Sequence, residues 1–246
     1  MTPQLTLKLS QLLRYSSDSF VEHEGVRSIV KAVEKLATQR RFSMLYIEGE
    51  RSSGKTHLGV YLAGRIQDLG RSVRFVAADE LGAWFLEELP KDPLRAGEVV
   101  IVDDADLFLS RQGDSRVFGN LVEQLQSRKG IFIMLGASSL QGLAGNGKNP
   151  PGLDAALSVA LAVPEEAMVD GLLAAIAKQR GLKLSESKRS YVLRRIPHTL
   201  PAIVEYADRL EGPRDGEVLS TSLTTLAKTA SASKAPRKTS RDKVKK

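Results

Sequence analysis

Gly49-Glu50-Arg51-Ser52-Ser53-Gly54-Lys55-Thr56 decides the fold of this 246-residue chain. The run fits the pattern G-x-x-x-x-G-K-[ST], and the residue types explain why. The two glycines let backbone N–H groups from Glu50, Arg51, Ser52 and Ser53 curl around phosphate oxygens. A helix beginning at Gly54 then points its positive end at the same oxygens. Lys55 would reach the β- and γ-phosphates, and Thr56 would hold Mg2+ through its hydroxyl. His57 follows directly and reads as a first-turn helix residue beside the nucleotide rather than as a catalytic base. A Gly/Ser turn that precedes Lys-Thr by chance is the competing reading, and the flanks decide against it.

Working outward, Met44-Leu45-Tyr46-Ile47 is an apolar run that ends at a glycine, as a buried strand should. Downstream, Leu58, Leu62, Ile66 and Leu69 form one helical stripe closed by Gly70. Val73–Ala77 reads as a second strand, Glu80–Leu89 as a helix stopped by Pro90, and Val99–Val102 as a third strand. Phe118, Leu121, Val122 and Leu125 mark a helix, Ile131–Leu135 a fourth strand and Leu157–Val163 a fifth. Upstream, Val26, Ile29, Val30, Val33 and Leu36 mark another helix. Strands alternating with helices predict an α/β fold, a mostly parallel sheet covered by helices on both faces. Past Pro164 the strands stop. Ala167–Arg180, Ser185–Arg195 and Leu200–Leu210 predict a small all-helical domain, and Ala144–Gly152 a loop.

The expected organisation is a leader over 1–19, a P-loop domain over 20–164, a helical domain over 165–211 and a tail over 212–246. A phosphate loop calls for an acid at the end of a buried strand, aimed at the magnesium. Asp103-Asp104 follows Val99–Val102 and supplies it. Asp103 is the candidate for the metal, and Asp104 for orienting or deprotonating an attacking water. Lys55, Asp103 and Asp104 are therefore the candidate catalytic residues. His23 and His198 lack partners at ligand spacing and read as structural.

Composition limits the alternatives. There is no cysteine, which excludes disulfides, thiolate metal sites and cysteine nucleophiles. No apolar run reaches the roughly 18 residues of a membrane span, and the first residues do not resemble a secretory signal. The chain reads as cytoplasmic, with no membrane partner. The net charge is +7, and its location matters more than its size. From Lys228 onward eight Lys/Arg stand against one acid, Asp242, which leaves 28 bases and 28 acids in the remainder. That tail has too little apolar surface to offset its ordering entropy and reads as disordered. It either contacts DNA without sequence preference by counterion release or merely solubilises the chain.

Gly54-Lys55-Thr56-His57-Leu58, Val73-Arg74-Phe75-Val76 and Val100-Ile101-Val102-Asp103-Asp104 together resemble the DnaA family of AAA+ ATPases. After Leu210 the chain leads into the polar tail rather than a helix-turn-helix DNA-binding domain, a layout similar to the short Hda-type members. The resemblance covers about residues 1–211. It implies ATP or ADP with Mg2+ as cofactors, the initiator DnaA as a partner and a role in regulating replication initiation; a homo-oligomer is compatible with it. It also gives the leader a meaning. Gln4-Leu5-Thr6-Leu7-Lys8-Leu9 is similar to the peptide by which Hda-type proteins bind the replicative sliding clamp. Leu5, Leu7 and Leu9 would enter an apolar groove, with the Gln4 amide fixing one end. Lys8 stands where the family has proline. The competing reading is an amphipathic β-segment packed on its own domain.

Departures from the family matter as much. Gly152–Ser158 holds no arginine to act as a finger on a neighbour's nucleotide. The polar sensor after the fourth strand falls at Ser138. The helical-domain arginine is missing near Pro201, with Arg194 and Arg195 close in sequence, and the adenine-side asparagine is replaced near Gly25-Val26. Hydrolysis is thus expected to be weak or partner-dependent. Two other readings compete: a DnaC-like helicase loader or DNA-linked ATPase, and a scaffold that does not hydrolyse nucleotide.

Overall fold

The computed structural model describes residues 20–110, 115–145, 150, 152–162, 164 and 166–211. The leader peptide Gln4–Leu9 and the basic tail lie outside them. The chain divides into two compact units between Pro164 and Glu165.

The first unit is a five-stranded parallel sheet of β1 (Ser43–Glu48), β2 (Val73–Ala77), β3 (Val99–Asp103), β4 (Ile131–Gly136) and β5 (Leu157–Ala160). Its strand order is β2-β3-β4-β1-β5. The central strands carry apolar side chains at nearly every position, as a sheet covered on both faces requires. Their two-residue alternation sorts those side chains. Leu45, Ile47, Phe75, Ile101 and Ile133 pack in one cluster with α1 (Glu24–Thr38) and α2 (Lys55–Asp68). Tyr46, Val76, Val102, Phe132 and Met134 pack in the other, with α5 (Ser115–Ser127) and the α4 segment (Ala105–Leu109). Each buried aliphatic or aromatic side chain contributes about 1.5–3 kcal/mol.

Helix α1 starts two residues ahead of its apolar stripe, where His23 caps it, Nδ1 accepting from the Gly25 N–H at 3.2 Å. Helix α2 lies unusually close to the sheet. A Cβ on Gly59 would fall 2.6 Å from Leu135 Cδ1 and 2.7 Å from Phe75 Cε2. Glycine at that point sets the helix-to-sheet distance.

Several boundaries differ from expectation. The stretch after β2 begins as α3 (Leu81–Ala83) and widens into a π-helical turn, Trp84–Glu88. The Leu89 N–H bonds the Trp84 carbonyl at 2.9 Å, which places Leu89 inside just before Pro90. Strand β5 stops at Ala160, short of the expected end, where its partner β1 ends at Glu48. Two short helices were not expected. One is α4, and the other is α6 (Leu140–Gly145), which takes Ala144 and Gly145 out of the expected loop.

The second unit holds α7 (Val169–Gln179), α8 (Glu186–Leu193) and α9 (Leu200–Glu211). A 3-10 turn, Glu166–Met168, replaces the expected start of α7. Leu172, Leu173, Ile176, Val192, Ile203 and Tyr206 are buried in this unit. Ser185 caps α8, accepting from the Lys188 N–H, and Arg189 ties α8 to Asp170 at 3.0 Å. Among the described residues no helix is long and apolar enough to cross a membrane.

Candidate nucleotide site

The Gly49–Thr56 loop leaves the C-terminal end of β1 and turns into α2 through two left-handed residues, Ser52 at φ 62° and Gly54 at φ 94°. Glycine accepts that geometry freely, and serine does so at some cost. Gly49 must also be small, since a Cβ there would meet Ser53 Oγ at 2.9 Å and Leu161 at 3.1 Å. The Leu58 N–H returns to the Gly54 carbonyl at 2.8 Å, so the helix begins at Lys55 and its first amides have no earlier helical carbonyl to bond.

Lys55 is buried, and its ammonium donates to the carbonyls of Gly49 at 2.7 Å and Glu50 at 2.8 Å. Burial pushes its pKa down, while the carboxylates of Asp104, Asp103 and Asp106 pull it back up. Thr56 Oγ1 donates to Asp103 Oδ2 at 2.7 Å. Asp103 ends β3 and is buried; loss of solvent pushes its pKa up, and the Thr56 hydrogen bond works against that. Asp103 Oδ1 and Ser53 Oγ are also buried, with no hydrogen-bond partner among the described residues. Asp104 stands next to this pair but is exposed, at φ 52°.

His57 lies outside this polar centre, its ring edge-on to Phe20 at 5.1 Å between centroids. Phe20 stacks on Tyr61 at 4.6 Å, and the Tyr61 hydroxyl donates to Glu22 at 2.6 Å. The first described residues are thereby fastened to the opening turns of α2.

Some neighbours were not foreseen. Asp106 Oδ2 accepts from the Ser138 hydroxyl at 3.2 Å, and the Ser138 carbonyl accepts from the Tyr46 hydroxyl at 2.7 Å. Tyr46 is fully buried, and its hydroxyl is held protonated by desolvation and by the charges of Asp106 and Glu48. A Cβ on Gly136 would collide with that hydroxyl. Asp106 was legible as a third acid in the Asp103-Asp104 run, three positions on along a helix. Tyr46 gave no signal beyond its place in an apolar strand.

The stretch Gly152–Ser158 forms a 3-10 turn and the start of β5. In the second unit, Arg194 Nε donates to the Ser190 carbonyl at 3.2 Å, and Arg195 lies over the Tyr191 ring at 3.5 Å. Both arginines are engaged on their own helix. His198 bonds Glu166 and the Leu193 carbonyl, each at 2.8 Å.

These residues fit a magnesium–nucleotide. The loop offers backbone amides and a helix N-terminus to phosphates. Thr56 and Asp103 form a paired hydroxyl and carboxylate, the hard oxygen donors Mg2+ prefers. The unpartnered Asp103 Oδ1 and Ser53 Oγ provide further polar capacity at the same point.

No family model matches the sequence, and no curated protein does. Solved structures match the fold. Domain III of the Thermotoga maritima replication initiation protein DnaA superposes with a TM-score of 0.64 at 16% identity, over 80% of this chain and 87% of that one. AMPPCP-bound DnaA from Aquifex aeolicus gives 0.64 at 18% identity, over 80% of this chain and 65% of that one. The Thermotoga maritima RuvB Holliday junction branch migration motor gives 0.56 at 16% identity, over 79% and 63%. The chain thus spans just under two thirds of the length of the latter two proteins. It has the AAA+ fold of DnaA domain III.

Proposed function

We propose that this chain is a magnesium-dependent adenine-nucleotide-binding regulator of replication initiation, of the short Hda-like kind. The observation that carries the nucleotide half is the 2.7 Å bond from Thr56 to Asp103, made beside a buried lysine at the mouth of a phosphate loop. Bound magnesium would neutralise phosphate charge. The chain's own residues do the rest. The Glu50–Ser53 amides wrap the phosphates, and Lys55 exchanges its carbonyl partners for phosphate oxygens. Thr56 and Asp103 hold the cation, directly or through water. Asp104, exposed at the end of β3, is positioned to orient a water.

Turnover in this proposal is slow. An arginine finger supplies about 10³–10⁵ in rate where one exists. Gly152–Ser158 contains none, and Arg194 and Arg195 are committed to α8. The bound nucleotide therefore acts as a conformational latch rather than as fuel. The regulatory half rests on the likeness to DnaA domain III and on the Gln4–Leu9 peptide, which would dock the chain on the sliding clamp and bring it to the initiator DnaA.

Calorimetry with Mg-ADP and Mg-ATP tests the first half. Binding to the native chain with loss of at least tenfold in Lys55→Ala is expected, and an absence of binding would leave only a scaffold. A clamp pull-down with Leu5, Leu7 and Leu9 changed to Ser tests the second half. Unchanged capture would end the docking proposal without touching the nucleotide site.

A further inference from the structure

Four loops lead into the N-terminal ends of the strands, at the pole opposite the phosphate loop. They cover 39–42 before β1, 69–72 before β2, 89–98 before β3 and 128–130 before β4. They carry Arg40, Arg41, Arg71, Lys91, Arg95, Arg128 and Lys129. All but Arg71 are exposed, and none of the seven forms an ion pair among the described residues. The acids in these loops are Asp92 and Glu98, and both bond the Arg74 guanidinium, at 3.2 and 3.0 Å. Asp68 closes α2 just before the second loop. At the phosphate-loop pole acids prevail, with Glu48, Glu50, Asp103, Asp104 and Asp106 against Arg51 and Lys55. Outside its tail the chain has balanced charge, so this polarity reflects arrangement rather than composition.

The cations are also held together. Arg71 donates to the Ala37 carbonyl at 2.8 Å and the Gln39 carbonyl at 3.4 Å, and to the Lys129 carbonyl at 3.4 Å. Its guanidinium further occupies the space a Cβ on Gly97 would need, at 2.6 Å. One side chain from the β2 loop thus touches the loops of β1, β3 and β4. The arrangement brings like charges together, and burial first, then Arg40, work against the Arg71 cation. Stability alone gives no reason to gather cations this way.

We propose that this pole is a docking surface for the phosphate backbone of duplex DNA. With neighbouring strands about 4.8 Å apart, four loops make a row of roughly 14 Å. Duplex DNA presents one charge per about 1.7 Å of axis, so the row meets several phosphates. Arginine predominates, and its planar fork suits phosphate oxygens. The surface lacks aromatic platforms for unpaired bases: Phe42, the sole aromatic in these loops, packs against the core. Leu69 is its lone exposed large apolar residue, too little to seat in a lipid surface.

The test uses the full chain and a random-sequence duplex, with affinity measured against salt. Replacing Arg40, Arg41, Arg128 and Lys129 by Ser is expected to flatten the logarithmic salt slope by about 2–4 and weaken low-salt binding about 10–100-fold. A second variant neutralises the Lys and Arg between 234 and 246, and it should keep the share of the slope that the pole supplies. In the unaltered chain, acylation of Lys129 should slow when duplex is added, a readout independent of any variant's folding. The proposal fails if the loop variant binds as the native chain does, or if the tail variant alone abolishes binding. It fails too if Lys129 is not protected, or if the loop variant loses only phosphatidylserine vesicles.

Discussion

Thr56 Oγ1 and Asp103 Oδ2 meet at 2.7 Å although β4 lies between the strands that lead to them. Thr56 reaches this point by following β1 with a loop and one helical residue, while Asp103 ends β3 directly. The pair therefore spans three strands and depends on the parallel register that aligns their ends.

Asp103→Asn should separate the roles of that carboxylate. Magnesium-dependent nucleotide affinity should fall by about 10–100-fold, as for other lost metal partners. The nucleotide-free protein should instead gain stability at neutral pH. Burial raises the Asp103 pKa in the folded chain, so the folded state holds its proton more tightly than the unfolded state. The resulting penalty is absent below the ordinary carboxylate range, grows as pH rises towards the folded value and is complete above it. Thermal unfolding from pH 3 to 8 should show the Asn advantage only towards the upper end.

Glu98→Gln should destabilise the first unit by about 3 kcal/mol in a denaturant titration. It removes the buried carboxylate that meets the Arg74 guanidinium at 3.0 Å and leaves the exposed Asp92, at 3.2 Å, to balance a buried cation. Replacing Arg74 and Glu98 together by Met and Leu should cost less than the single change, because no charge is then stranded.

The helical unit should lose stability as pH rises through neutrality. The partners of His198 are a carbonyl and a carboxylate, so only the doubly protonated ring satisfies both. The Leu193 carbonyl first, and Glu166 second, raise its pKa. The contribution is full below the unfolded value near 6.5 and is lost as pH passes the folded value. His198→Gln should flatten that dependence when unfolding is followed between pH 5 and 8.

Phe20→Ala should lower stability by about 1–2 kcal/mol, the scale of a stacked aromatic pair and its burial. Thermal unfolding measures it, and Tyr61→Leu should show a comparable loss that is not additive with the first.

The strands were legible because the sequence repeats apolar residues without interruption where a sheet is buried on both sides, as in Val99–Val102 and Ile131–Leu135. The turn from β1 into α2 was legible because Gly54 answers a geometric demand, a left-handed backbone, that few other residues meet. What escaped reading has a common cause. The Asp106–Ser138–Tyr46 chain joins positions 32 and 92 residues apart, and local periodicity carries no sign of such contacts. The widened turn at Trp84–Glu88 arises from a local shift in hydrogen bonding, as in the Leu89 N–H bond to the Trp84 carbonyl, which the same apolar spacing would permit either way. The early end of β5 follows the end of its partner β1 at Glu48 rather than a residue that breaks strands.

Gly59 has a consequence for heredity. Every base change at the first two positions of a glycine codon that leaves an amino acid installs a Cβ. At this position the Cβ would meet Leu135 and Phe75 within 3 Å, and either those two buried side chains or α2 would have to shift. Lys55 and Thr56 ride on that helix, one turn away. A gene line in which this codon drifts would carry an intact phosphate-loop motif on a helix whose bed of side chains is disturbed. Judged by the motif alone, such a descendant would look functional.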